Sequence, residues 1–97
     1  MSYDMGIGDE TFNYTYNVSK MWYASEPEKG IRAIYGLTGE QAIPVLINMR
    51  NYMEKNWDEM LSYEPENRWG TALGALTFLN SLIAASMEWR QEKWSGD

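Results

Sequence analysis

Apolar residues between Ala42 and Met53 fall at Ala42, Val45, Leu46, Met49, Tyr52 and Met53. Their spacing of three and four predicts a helix with one buried face and with Arg50, Asn51 and Glu54 on wetter sides. Thr38-Gly-Glu-Gln41 carries the capping-box signature, so this helix is expected to start there and run towards Lys55. Pro44 falls just past the first turn, where its missing N–H removes a bond to residue 40 and is expected to kink the axis. A second pattern begins at Thr71. Ala72, Ala75, Leu76, Leu79, Leu82, Ile83 and Ser86 or Met87 form a broad apolar face, which predicts the core helix, reaching about Glu92. Gly74, Ala75, Ala84 and Ala85 let neighbouring backbones approach it, although glycine within a helix costs about 1 kcal/mol relative to alanine. Trp89 and Trp94 with Arg90 and Lys93 make an aromatic and basic end suited to the helix dipole.

The remaining signals are shorter. Asn56-Trp-Asp-Glu59 repeats the capping logic and predicts a short helix to Tyr63. Ser19 reads as the N-cap of a helix through Ser25, and Glu26-Pro-Glu-Lys-Gly30 breaks that pattern. Ile31 to Tyr35 fits another helical turn, ended by Gly36. Phe12, Tyr14 and Tyr16 alternate along Thr11–Val18, which predicts an extended segment. With no second strand evident, it is expected to lie across a helical body or to pair with a second copy. Met1–Asp9 has two glycines and no helical period, and reads as a mobile or loosely docked arm. The expected fold is therefore all-α: three to five helices in a single domain over 11–97, with a flexible arm at 1–10 and an extended aromatic N-terminal segment.

Composition narrows the function classes more than the fold. Five Trp and seven Tyr occur in 97 residues, with no His and no Cys. The usual metal ligands, the thiol nucleophile and the neutral-pH proton shuttle are missing, while flat amphipathic rings suited to recognition are abundant. No cofactor is expected. A formal charge of −6 opposes general nucleic-acid binding and is compatible with a basic groove on a partner, although most acidic domains are merely soluble. A signal peptide and a membrane span are not expected, so the cytoplasm is the expected compartment, and the sequons at Asn13 and Asn17 read as chance.

Two segments carry a resemblance: Asn13-Tyr-Thr-Tyr-Asn-Val-Ser-Lys-Met-Trp22 and Asn67-Arg-Trp-Gly70. They resemble a group of small proteins of unassigned function found in bacteriophages and prophages. Those proteins have a Tyr-Asn-Val-Ser-Pro-Met-Trp-like opening and an Asn-Pro-Glu-Asn-Gly-Trp-Gly-like loop before an amphipathic closing helix. The resemblance spans about residues 12 to 90. Lys20 stands where that pattern has proline, and Arg68 where it has glycine, so the loop is not expected to need a glycine-only conformation. The resemblance implies a helical phage or prophage accessory protein acting inside the bacterial host, and implies no catalysis.

The candidate site is the set Asn13, Tyr16, Asn17, Trp22, Asn67, Arg68, Trp69 and Gly70, in which amides offer donor and acceptor together and indoles offer stacking faces. A shared pocket there would suit a nucleotide-like ligand, with Lys20, Lys29, Arg32 and Arg68 as phosphate partners. The competing reading makes Asn17 and Asn67 helix caps and the tryptophans core. Glu26, Glu28, Glu40, Glu54, Asp58, Glu59, Glu64 and Glu66 read as solvated surface, since nothing in the linear order shows a cleft that would raise one carboxyl. The expected function is non-enzymatic: masking of a host protein, with ligand sequestration or a structural virion role as alternatives. A homodimer through the 71–92 helix is a further expectation.

Overall fold

The computed structural model describes residues 1–97. Strand β1 (Ser2–Ile7) and strand β2 (Glu10–Thr15) form an antiparallel hairpin whose register runs without interruption from Ser2 opposite Thr15 to Ile7 opposite Glu10. Gly8 and Asp9 make the turn. Gly8 has φ +57° while Asp9 stays at negative φ, the arrangement of a type II′ turn, whose twist suits the flanking strands. A short β3 (Ser95–Gly96) pairs antiparallel with the other side of β1, giving the sheet order β2-β1-β3.

The fold is thus α+β, which corrects the all-α expectation. Residues 1–10, expected to form a mobile arm, contain the middle strand of the sheet. The physical reason is a period of two within that segment: Tyr3, Met5 and Ile7 are buried while Asp4 is exposed. The aromatic strand expected at Thr11–Val18 finds its partner just upstream, across a two-residue turn.

Four helices complete the chain: α1 (Ser19–Ser25), α2 (Gly39–Lys55), α3 (Trp57–Ser62) and α4 (Ala72–Glu88). A 3₁₀ turn at Tyr16–Val18 leads into α1, and another spans Gly30–Ile34. The capping box at Thr38 is formed, with Gln41 N donating to Thr38 Oγ1 at 3.2 Å and Thr38 N donating to Gln41 Oε1 at 3.0 Å. Two further N–H groups at the start of α2 donate to carbonyls of the C-terminal segment: Gly39 to Glu92 at 2.9 Å and Glu40 to Arg90 at 3.0 Å. The helix continues through Pro44, which is exposed. At Asn56 no side-chain cap forms; its amide donates back to the Tyr52 carbonyl at 2.9 Å.

α4 ends at Glu88, short of the expected Glu92. Beyond it the chain turns back as a strap, because the indole of Trp94 is more stable inside the core than on a prolonged helix. Trp94 N donates to Leu37 O, and Gly36 N to Trp94 O, both at 2.8 Å. These bonds deliver Ser95 and Gly96 to the sheet. The core lies between α2 and α4, closed by α1 and the inner face of β1; it includes Trp22, Leu46, Met49, Leu79, Leu82 and Trp94.

Candidate functional site

The end of β2, the turn after it and the loop before α4 meet on one surface. Met1, Ser2, Asn13, Tyr14, Thr15, Asn17, Trp69 and Gly70 line an open groove of about 520 Å³ there. Each side arises from local chemistry. Thr15 ends β2 and accepts from Asn17 N at 3.2 Å, which caps the 3₁₀ turn and leaves the Asn17 side chain exposed. Tyr14 points inward, stacks on Phe78 of α4 with ring centroids 5.3 Å apart, and its hydroxyl accepts from Thr71 N at 3.3 Å. That contact fastens the loop to the hairpin.

The loop is shaped by two left-handed residues. Asn67 Oδ1 accepts from Trp69 N at 3.0 Å, an Asx turn that holds Arg68 at φ +64°. Arg68 thus takes the left-handed backbone that the loop was not expected to need, at a cost of roughly 1–2 kcal/mol for a residue with a Cβ. Gly70, at φ +101°, is required for a second reason: a Cβ there would lie 2.7 Å from Thr15 Cγ2 and 2.9 Å from Val18 Cγ1. Close approach of loop to hairpin leaves Trp69 standing outward, 71% exposed. Four residues on, Leu73 in the first turn of α4 is 65% exposed. Thr71, rather than Asn67, caps α4, accepting from Gly74 N at 2.9 Å.

Of the eight expected site residues, Asn13, Asn17, Trp69 and Gly70 line the groove together. Asn67 and Arg68 shape its loop. Trp22 does not take part; it is fully buried in the core, and its indole N–H has no partner. Tyr16 sits elsewhere, its hydroxyl accepting from Arg32 Nη2, with the guanidinium carbon 5.2 Å from its ring centre and 4.8 Å from that of Tyr3. Arg32 Nε also donates to the Asp97 carbonyl at 2.9 Å, so this cation is engaged in tying hairpin to C-terminus. Burial raises the Tyr3 phenol above its ordinary pKa of 10.0, against the opposing pull of Arg32.

No family model, curated protein or solved structure matches the chain.

The acidic set is partly used up by structure. Glu26 Oε2 accepts from Lys29 N and Gly30 N at 2.6 and 3.1 Å, and Glu64 from Ala72 N at 2.8 Å at the start of α4. Glu59 receives the hydroxyls of Tyr52 at 3.1 Å and Tyr63 at 2.7 Å, and these hydrogen bonds raise both phenols above 10.0. Groove residues missed by sequence reasoning are Met1, Ser2, Tyr14 and Thr15; the exposed Leu73, also missed, follows the Trp69-Gly70 loop in the chain. The signal for them was the Tyr3, Met5, Ile7 alternation ending at Gly8-Asp9, which is a hairpin pattern.

The groove can offer amide and hydroxyl hydrogen bonds and one broad indole face. None of its lining side chains carries a carboxyl, amine or guanidinium. Its side chains offer hydrogen bonds and a stacking face, and none of them exchanges protons near neutral pH.

Proposed function

We propose that this protein is a non-enzymatic binding protein that masks a partner protein through the surface centred on Trp69, and that it does so as a phage or prophage accessory protein inside the bacterial host. One observation carries the reading. An indole 71% exposed, four residues before a leucine 65% exposed, is an unusual liability for a small domain that otherwise buries Trp22 and Trp94 completely or nearly so. Exposed aromatic anchors beside polar groups are the typical centres of protein interfaces. The amides of Asn13 and Asn17 supply the polar rim.

The outer face of α4 extends the same surface. Leu73, Thr77, Asn80, Ser81, Ala84 and Met87 are exposed, and the helix carries a single charge, Glu88, at its last position. An uncharged stripe on a chain of net charge −6 lowers the desolvation cost of covering it. The remaining negative charge speeds encounter with a basic partner surface. The host setting rests on the resemblance of the Asn13–Trp22 and Asn67–Gly70 segments. No helix is long and apolar enough to cross a membrane.

Sequestration of a nucleotide-like ligand is a second reading, favoured by the groove volume of about 520 Å³, which falls in the small-ligand range. Its open walls favour the protein partner. The test is affinity capture from host lysate with wild type and Trp69→Ala, followed by thermal melting with a nucleotide panel. Salt-sensitive capture of one host protein that Trp69→Ala loses supports masking. A melting shift with one nucleotide class and no such capture supports sequestration instead.

A further inference from the structure

The longer of the sheet's two edges is bare. In the order β2-β1-β3, the strand β2 is paired on one side alone. Ile7 opposite Glu10 closes the turn, so Glu10, Phe12 and Tyr14 direct their backbone groups to β1; Tyr16 N donating to Met1 O at 3.2 Å continues that alternation. The N–H groups of Thr11, Asn13 and Thr15 and the carbonyls of Thr11 and Asn13 therefore point outward. Soluble proteins commonly protect such an edge with lysine, proline or a bulge. From Thr11 to Thr15 the sequence has none of these, and the register is unbroken.

We propose that this edge pairs with the same edge of a second copy, antiparallel about Asn13, joining two three-stranded sheets into one of six strands. Three features of the edge fit a copy of itself better than an unrelated strand. First, the register is self-complementary: Thr11 meets Thr15 and Asn13 meets Asn13 on the outer face, pairs of small hydroxyl and amide groups that hydrogen-bond across strands. Second, Phe12 of each copy falls opposite Tyr14 of the other on the inner face. Both rings are half-buried within one copy, and the pairing covers them. Third, the ends of the edge differ in charge. Asp9 flanks the Thr11 end, whereas Arg68 directly precedes the groove residues Trp69 and Gly70 at the Thr15 end. An antiparallel pairing sets each acidic end beside the other copy's basic end, so the net charge of −6 does not oppose it locally. Interfaces of this kind are isologous and close on themselves, which prevents further growth along the edge.

This inference shares Asn13 and Thr15 with the groove of the masking surface, but it is tested separately, since it uses the backbone of β2 and not the indole of Trp69. Sedimentation of the full chain over a concentration series tests it. The expected result is a monomer–dimer equilibrium with a dissociation constant below about 1 mM. Asn13→Pro removes an outward N–H and no bond to β1, so it is expected to keep the fold and weaken dimerisation at least tenfold. A charge exchange gives an independent check of orientation. Asp9→Lys and Arg68→Glu each weaken the dimer about two- to fivefold, the range of an exposed ion pair, and together they restore it. Amide exchange supplies the signature that no substitution can confuse: Thr11, Asn13 and Thr15 become protected as concentration rises, while Phe12 and Tyr14 are protected throughout. A wild-type chain that is monomeric up to that concentration overturns the proposal. So does a dimer in which those three amides stay unprotected, which would place the interface on another surface such as the outer face of α4.

Discussion

Trp94 and Trp69 are the same residue in two opposite settings. Trp94 is 1% exposed; its indole N–H donates to the buried Ser86 hydroxyl at 2.9 Å, and its backbone is bonded to Gly36 and Leu37 on both sides. The region around it is sealed by α2, α4 and the strap. Trp69 has none of that support. Its loop is held by the Asx turn at Asn67, the Tyr14 hydroxyl and the close fit of Gly70, and all three fix the backbone while leaving the indole in water. The difference teaches that aromatic content alone does not separate core rings from exposed ones. What separates them is where the backbone bonds lead the ring.

Disrupting the sealed region should have the largest effect. Trp94→Ala removes a buried indole and is expected to destabilise the fold by about 3–5 kcal/mol in denaturant titration. Gly39→Ala comes next. A Cβ there would meet the Ser86 and Trp89 carbonyl oxygens where α2 abuts the end of α4, so a loss of about 1–3 kcal/mol is expected. Ser86→Ala leaves the Trp94 N–H buried without a partner and should cost about 1–3 kcal/mol, measured in the same way. Trp69→Ala, by contrast, should change stability by no more than about 0.5 kcal/mol, because the side chain is mostly in water. If Trp69→Ala proved as damaging as Trp94→Ala, the contrast between the two regions would collapse.

The smallest effects are in the alkaline range. Tyr3 and Tyr35 are raised above 10.0 chiefly by burial, Tyr52 and Tyr63 by donating to Glu59. For each, the folded state holds its proton more tightly than the unfolded state does. Their contribution is fully present below pH 10 and is lost as pH rises through the folded values, so melting temperature should fall above about pH 10. Ultraviolet titration of the phenols should show these four ionising above the ordinary tyrosine value. The Tyr35 hydroxyl is buried without a hydrogen-bond partner, so Tyr35→Phe should be neutral or slightly stabilising.

Helical periodicity and capping were legible where they were local. The Thr38 box and the apolar faces of α2 and α4 follow from spacing of three and four, and the structure forms them. The hairpin was less legible, because six residues of alternation at Ser2–Ile7 carry little weight beside two glycines that also fit a mobile arm. Gly8 marks a tight turn there and Gly6 a flat strand position. The early end of α4 and the return of the strap depend on where Trp94 finds a cavity, a long-range fact that no local window contains. At the groove, Asn13, Asn17, Trp69 and Gly70 were legible as chemistry, whereas Trp22 and Tyr16 were not separable from them by residue type. Their fate was decided by tertiary packing around α1 and by Arg32.

The claim that Trp69 is kept outside for recognition is tested most directly by comparing wild type and Trp69→Ala in quantitative capture of host protein, with both proteins shown to be folded. A single host protein retained by wild type and reduced at least tenfold by the substitution is the expected result. Equal retention by the two would contradict it.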